Sequence, residues 1–312
     1  MESITIPKSV SSIEGYAFYQ CGKLKSVIFS NESLVEYIRK WAFSYCYSLE
    51  SITIPKSVRS IEGYTFYQCG KLKSVIFSND SLVEYIGNDT FSNCYSLESI
   101  TIPRSVILIE KCAFYQCGKL NSVIFSNDSL VEYIGNGTFS YCESLESIII
   151  PQLVRSIQNF TFNHCNRLRK IEISNLTKSI GAQAFSFCLL LESFSLPPLV
   201  KYIEKNAFYY CKKLSLFIIP KNTSLISIGL EAFGNCHILK SFTIPKDIYY
   251  IGDLAFHQCY KLIKFTYLGI KEPQISKNSF LGCSSLKEIY VTESYKSDYF
   301  GGIKVKRIGP RV

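Results

Sequence analysis

Histidine and proline are scarce in this sequence, and long apolar runs and signature motifs are missing. The three histidines, His164, His237 and His257, stand singly. No C-x2-C pair accompanies them, which disfavours a zinc site. No G-x-x-x-x-G-K-[ST], H-E-x-x-H or G-x-G-x-x-G occurs. "SIGAQAF" and "SLISIGLEAF" lack the glycine spacing of a dinucleotide loop. An enzyme is therefore not expected, nor a cofactor or metal. Only 10 prolines are present and no Pro/Gly/Ser-rich linker divides the chain. No stretch reaches the ~18 apolar residues of a membrane span; "AFSFCLLLESF" at 184–194 is still broken by polar residues. Residues 1–10, MESITIPKSV, lack the basic start and apolar core of a secretory signal.

Apolar residues make up 47% of the 312 and charged residues 19%, which suits a buried core. The net charge is +9 and is unevenly placed. Residues 1–200 hold 17 Lys/Arg and 17 Asp/Glu, whereas residues 201–312 hold 17 and 8. The whole excess falls in the last third, with Lys261, Lys264, Lys271, Lys287 and "KVKR" at 304–307.

The cysteines reveal the organisation. Twelve of the 13 stand at 21, 46, 69, 94, 117, 142, 165, 188, 211, 236, 259 and 283, spaced by 23–25 residues. In the first half the spacing alternates 25 and 23, a double period of 48. Ile stands eight residues before each of the twelve, Phe three before and Leu three after. The unit reads I-x4-F-x2-C-x2-L-x2-[VIF]-x-[IFLYV]. Its end alternates as a strand with one buried face, so Leu24, Val27 and Phe29 point in while Ser26 and Ile28 point out. Proline often stops the strand, as at Pro7, Pro55 and Pro103. The I-x4-F-x2-C stretch turns the chain back. One unit cannot bury its apolar face alone, but stacked units can. The repeat length and the L-x-x-L-x-L core predict an α/β leucine-rich-repeat solenoid. Its parallel β-sheet occupies one face, with turns and short helical segments on the other.

Units such as "LESITIPKSVRSIEGYTFYQC" (49–69) and "LKSFTIPKDIYYIGDLAFHQC" (239–259) resemble the BspA-like leucine-rich repeats. The marks of that resemblance are I-x-I-P after the strand and A-F-x-x-C before the next. It spans residues 3 to 291. The family comprises surface proteins of bacteria and parasitic protists. The resemblance implies a non-enzymatic surface protein that adheres to host or matrix proteins. The alternative is an intracellular (cytoplasmic) scaffold of the same fold, which the thiols and the missing export signal favour. No nucleic-acid module is present. The expected layout is a solenoid over 1–291, about 12 coils of 23–25 residues, and a C-terminal cap over 292–312 packed by Tyr295 and Tyr299. The opening strand "SITIP" at 3–7 lacks a preceding F-x-x-C, which suggests a fragment or an end covered by another segment.

Coils of 25 residues carry two extra residues after the strand, "FSNESLVEYI" (29–38) against "IPKSVRSI" (54–61), so alternate coils should bulge at that rim. The repeat cysteines are expected to be buried as small hydrophobes. Disulfides between neighbouring coils are the alternative. Cys112 falls outside the ladder and is expected to be the accessible thiol. The N-x-[ST] sequons at Asn31, Asn79, Asn88, Asn127, Asn136, Asn159, Asn175 and Asn222 would accept glycans in a secreted protein.

The outward strand positions make the candidate binding face. One column, Lys25, Glu50, Lys73, Glu98, Asn121, Glu146, Arg169 and Glu192, alternates in charge and is expected to pair across coils. The next is nearly all serine. The third includes Ile76, Ile124 and Ile149, exposed apolar residues of the kind that mark contact sites. With the basic Lys264 and Lys287, they form the expected protein-binding surface.

Overall fold

The computed structural model describes residues 2–309. Each repeat forms one coil with two strands. The longer strand carries the leucine-containing phrase, as in Ser51–Ile54, whose Ile52 and Ile54 are buried while Ser51 and Thr53 are exposed. The β-branched residues suit this half-buried pleat. The shorter strand has two residues and ends on the invariant isoleucine, as in Ser60–Ile61. Two residues are too few to show a period, so the pattern did not disclose this second strand.

The described chain forms two compact units. One takes the chain up to Val154 together with His164–Asn166; the other holds Arg155–Asn163 and the chain from Arg167 onward. In the first unit the long strands Ser3–Ile6, Ser26–Phe29, Ser51–Ile54, Ser74–Phe77, Ser99–Ile102 and Ser122–Phe125 lie in chain order in one parallel sheet. The short strands from Ser12–Ile13 to Tyr133–Ile134 form a second parallel sheet. In the second unit the short strands from Ser156–Ile157 to Gln274–Ile275 make a six-stranded parallel sheet. The long strands Ser241–Ile244, Lys264–Tyr267, Ile289–Thr292 and Ile303–Ile308 also pair in parallel.

Helical segments were expected on the turn side. Among the described residues there are none. The turn backbone alternates its amides instead. Ala17, Tyr19 and Cys21 donate within their own coil, to the carbonyls three residues back. Tyr16, Phe18 and Gln20 donate to the next coil, to Lys40, Ala42 and Ser44. This alternation needs a left-handed residue third in each turn, and Tyr16 (φ 61°) and Gln20 (φ 58°) supply it. The pattern recurs at Trp41 and Tyr45, Tyr64 and Gln68, and onward. A helix would turn every amide inward along its own axis and forfeit the bonds between coils.

Between strands and turns lies the core. In the first unit Phe18, Phe43, Phe66, Phe91, Phe114 and Phe139 stack in sequence, with ring centroids 5.0–5.5 Å apart and planes within 12°. Phe162, Phe185, Phe208, Phe233, Phe256 and Phe280 also stack in the second unit, at 5.1–5.6 Å with planes within 14°. There a second column, Phe194, Phe217, Phe242 and Phe265, meets the first edge-to-face. Each ladder thiol from Cys46 onward, Cys112 standing outside the ladder, donates to the carbonyl of the preceding coil's phenylalanine, as Cys69 does to Phe43 at 3.1 Å and Cys236 to Phe208 at 3.3 Å. All cysteines are free.

At the C-terminal side the strand Ile303–Ile308 pairs parallel with Ile289–Thr292 and antiparallel with Tyr299–Phe300. A charged hairpin thus stands at this sheet edge, with Tyr299–Phe300 outermost and Lys304, Lys306 and Arg307 on the strand inside it. Tyr295 is buried, and its hydroxyl donates to the Tyr299 carbonyl at 2.9 Å. Tyr299 was expected to pack as well, yet its side chain is 59% exposed, because only its backbone engages the hairpin. Residues 310–312 of the expected cap lie outside the described residues.

Phe66 and Leu72 are fully buried. Phe66→Ala or Leu72→Ala is expected to cost about 2–5 kcal/mol. Hydrogen exchange should show the loss concentrated in the mutated coil and its neighbours, since solenoid contacts are local. Unchanged melting and unchanged exchange would reject the core assignment.

Candidate protein-binding face

The long strands of the first unit pair unequally. Ser3–Ile6 with Ser26–Phe29, Ser51–Ile54 with Ser74–Phe77, and Ser99–Ile102 with Ser122–Phe125 are each in register over four residues. Between these doublets only two residues pair, Ser26 with Ser51 and Val27 with Ile52, then Ser74 with Ser99 and Val75 with Ile100. Ser122–Phe125 and Ser147–Ile149 share no sheet ladder. Each opening follows a 25-residue coil, whose two extra residues come directly after the strand. The rim bulge legible in the sequence therefore also splits the strand face.

Two of the splits are clefts. One, of about 560 Å³, is lined by Ile124, Phe125, Asn127, Ile149, Pro151 and Gln152. Another, of about 490 Å³, is lined by Ile28, Phe29, Glu32, Thr53, Pro55 and Lys56. Ile124 is 53% exposed and Ile149 62% exposed, with serines beside them on both strands. Ile76, 53% exposed, holds the equivalent position in the doublet between. The structure thus brings Ile124 and Ile149 together across one cleft.

Lys264 and Lys287 belong to the other unit. Lys264 lies on the strand Lys264–Tyr267, its ammonium 5.3 Å from the Tyr290 ring centre, and Lys306 lies 5.9 Å from the same ring. Lys287 donates to the Ser284 carbonyl at 3.1 Å. The alternating charge column pairs only in part. Lys25 bridges back to Glu2 at 2.9 Å and Arg169 bridges to Glu192 at 3.0 Å. Among the described residues Glu50, Lys73, Glu98 and Glu146 form no ion pair. Exposed pairs contribute only ~0.2–1 kcal/mol, too little to order every rung.

The family model for the BspA type leucine-rich repeat region (6 copies) matches residues 1–121, 84–215 and 201–308. The chain belongs to the BspA-type leucine-rich repeat family. Among solved structures, a leucine-rich repeat protein from Bacteroides ovatus is 25% identical with a TM-score of 0.56, over 98% of this chain and 92% of its own. The pneumococcal vaccine antigen PcpA is 28% identical with a TM-score of 0.58, over 95% of this chain and 69% of its own. No curated protein matches the chain.

In this BspA-type repeat the groups with chemical potential are held in structural roles. Burial pushes ladder thiols such as Cys46 up to about 12, and Cys69 and Cys94 well above the ordinary thiol range, whereas a hydrogen bond with Cys259 lowers Cys283. Cys112 is half-buried, as expected of the thiol outside the ladder, but Cys21 is half-buried too. Burial, and then the charge of Asp89, raise the Cys112 pKa, which opposes thiolate formation. Burial also lowers the His164 pKa, and this ring stacks on Tyr141 at 4.4 Å. Burial and then Lys212 lower that of His237. Both ring nitrogens of His257 are engaged, one by the Leu254 carbonyl at 2.9 Å and one by the Asn235 amide at 3.1 Å.

Thiol labelling without denaturant should therefore modify Cys21 and Cys112 and spare the other eleven. Labelling of many cysteines, or mass loss from disulfides, would reject the buried reduced ladder. The raised thiol values also fix the alkaline behaviour. A thiol favoured in its neutral form stabilises the fold fully below the unfolded pKa of about 8.5. Above it the unfolded chain ionises first, so stability falls as pH rises toward the folded value, about 12 for Cys46. Melting temperature followed from pH 8 to 11 should drop progressively, and a flat profile would contradict the burial of these thiols.

Proposed function

We propose that this protein is a non-enzymatic binding scaffold displayed at a cell surface, where its strand face adheres to a host or extracellular-matrix protein. The observation that carries the reading is the cleft between Ile124 and Ile149, two exposed isoleucines that line one opening together with Phe125 and Pro151. An apolar cleft bordered by small polar side chains is suited to an apolar anchor residue of a protein partner. The related cleft at Ile28 and Thr53 extends the same opportunity along the sheet. Membership of the BspA-type family and the likeness to PcpA, a vaccine antigen, support surface display. Lys264 and Lys287 would add electrostatic attraction for acidic partners, acting more on association rate than on affinity.

The thirteen free cysteines favour a second reading, an intracellular scaffold in a reducing compartment. Inert buried thiols also persist outside cells, so they do not oppose the first. Among the described residues no helix is long and apolar enough to cross a membrane. Antibody labelling of intact cells separates the two locations.

The binding test compares the full chain with Ile124→Glu/Ile149→Glu and with Lys264→Glu/Lys287→Glu against a panel of matrix proteins. The isoleucine pair is expected to weaken binding by about tenfold or more, equivalent to about 1.4 kcal/mol, with melting preserved. The lysine pair should change mainly the salt dependence and the association rate. Undiminished binding by the isoleucine variant would remove the cleft from the contact surface.

A further inference from the structure

A different surface carries a different chemistry. The short-strand sheet of the second unit aligns Ser156, Ser179, Tyr202, Ser227 and Tyr250 in register, one per coil. The residue immediately before each of the first three is a cation: Arg155, Lys178 and Lys201, all exposed. Their backbones are tied coil to coil, Lys178 N–H to the Arg155 carbonyl at 2.8 Å and Lys201 N–H to the Lys178 carbonyl at 3.0 Å. The three charges therefore stand on successive coils, ~4.8 Å apart in rise. Among the described residues none of them forms an ion pair.

Like charges held this close repel one another, and no ion pair among the described residues offsets them. The first unit does not share the arrangement. Its equivalent positions hold Ser11, Glu36, Arg59, Glu84, Ile107 and Glu132, and Arg59 meets Glu84 at 3.7 Å. The cationic row is thus a local feature and not a consequence of the repeat. Beside it runs a groove of about 530 Å³, lined by Ser179, Tyr202, Glu204, Lys205, Ser227 and Tyr250. Even with Glu204 counted, the row and the groove together carry three net positive charges, from Arg155, Lys178, Lys201 and Lys205.

We propose that this sheet binds an extended anionic polysaccharide, carboxylated or sulfated. Arg155, Lys178 and Lys201 would face its charged groups, and Tyr202 and Tyr250 its sugar rings. The coil rise is close to the advance of one pyranose along an extended chain, so each cation meets a successive sugar. Serine hydroxyls donate and accept, as sugar hydroxyls do. Nucleic acid fits less well. Its binding to single strands relies on aromatic rings that stack successive bases. Tyr202 and Tyr250 are two coils apart, on the order of 10 Å by strand spacing, with Ser227 between them. The surface belongs to the other unit and does not depend on the protein-binding reading.

The test titrates the full chain with a heparin-derived hexasaccharide, an oligo-thymidylate of equal charge, a polyglutamate peptide and neutral dextran. The hexasaccharide is expected to bind tightest, with a logarithmic salt slope near three, one per cation engaged. Arg155→Ser/Lys178→Ser/Lys201→Ser should abolish most of that slope and weaken binding by about tenfold or more. Lys23→Ser/Lys71→Ser/Lys119→Ser removes the same charge at exposed positions elsewhere and should change affinity less than about threefold. Tyr202→Ala should weaken the hexasaccharide more than polyglutamate. If the first triple variant melts early, Lys178→Gln alone is read, with the slope expected to fall by about one. Equal losses in both triple variants, tighter binding of the oligo-thymidylate or of polyglutamate, or no hexasaccharide binding would each overturn the proposal.

Discussion

The phenylalanine carbonyl of a turn with a further ladder cysteine after it accepts two hydrogen bonds. One comes from the amide of its own coil's cysteine, as Cys69 N–H to Phe66 at 3.1 Å, and the other from the next coil's thiol, as Cys94 Sγ–H to Phe66 at 3.2 Å. Both lone pairs of a buried carbonyl are thereby used, where an unmet one would cost stability. The same step carries the phenylalanine ring into its stack with the next. An aliphatic residue in place of cysteine would fill the volume but leave the second lone pair without a donor. A serine would supply a donor on a shorter bond with less apolar bulk. Cysteine satisfies both demands, which explains why the chain repeats it.

That contact fixes one coil against the next on the turn side, and the left-handed turn residues complete it. Tyr16, Trp41 and Tyr64 adopt a conformation that glycine would take more easily, and so do Gln20, Gln68 and Gln116. Backbone of this kind costs on the order of 1–2 kcal/mol per L-residue. The inter-coil hydrogen bonds from the same residues offset it, so the strain persists coil after coil. The aromatic members gain further from their neighbours, as Trp41 does by stacking on Tyr64 at 4.2 Å.

With the turn side held in constant register, variation is released on the strand side. Two extra residues in alternate coils of the first unit leave the turn ladder intact and open the strand ladder. Paired doublets and apolar clefts result. Within each unit the short-strand sheet has no such openings in its register, and there the differences lie in side chains alone. The row from Arg155 to Lys201 in one unit stands against the partly self-neutralised row from Glu36 to Glu132 in the other. A single framework therefore offers an apolar face and a cationic one.

The repeat, its parallel strands, the buried Ile, Phe, Cys and Leu columns and the exposure of Ile76, Ile124 and Ile149 were all legible in the sequence. Each follows from residue type recurring at fixed spacing, and burial follows periodicity. The helical reading of the turns failed because nothing in Tyr16 or Gln20 announces positive φ; only hydrogen bonds to the neighbouring coil impose it. Tyr299 looked like a packing residue by type, but the hairpin with Ile303–Ile308 turns its ring outward. The meeting of Ile124 with Ile149 and the alignment of Arg155, Lys178 and Lys201 depend on residues about 23–25 apart in the chain. Sequence by itself determined which residues each coil buries. The stacking of coils decided which exposed residues become neighbours, because that adjacency exists only once inter-coil hydrogen bonds set the register.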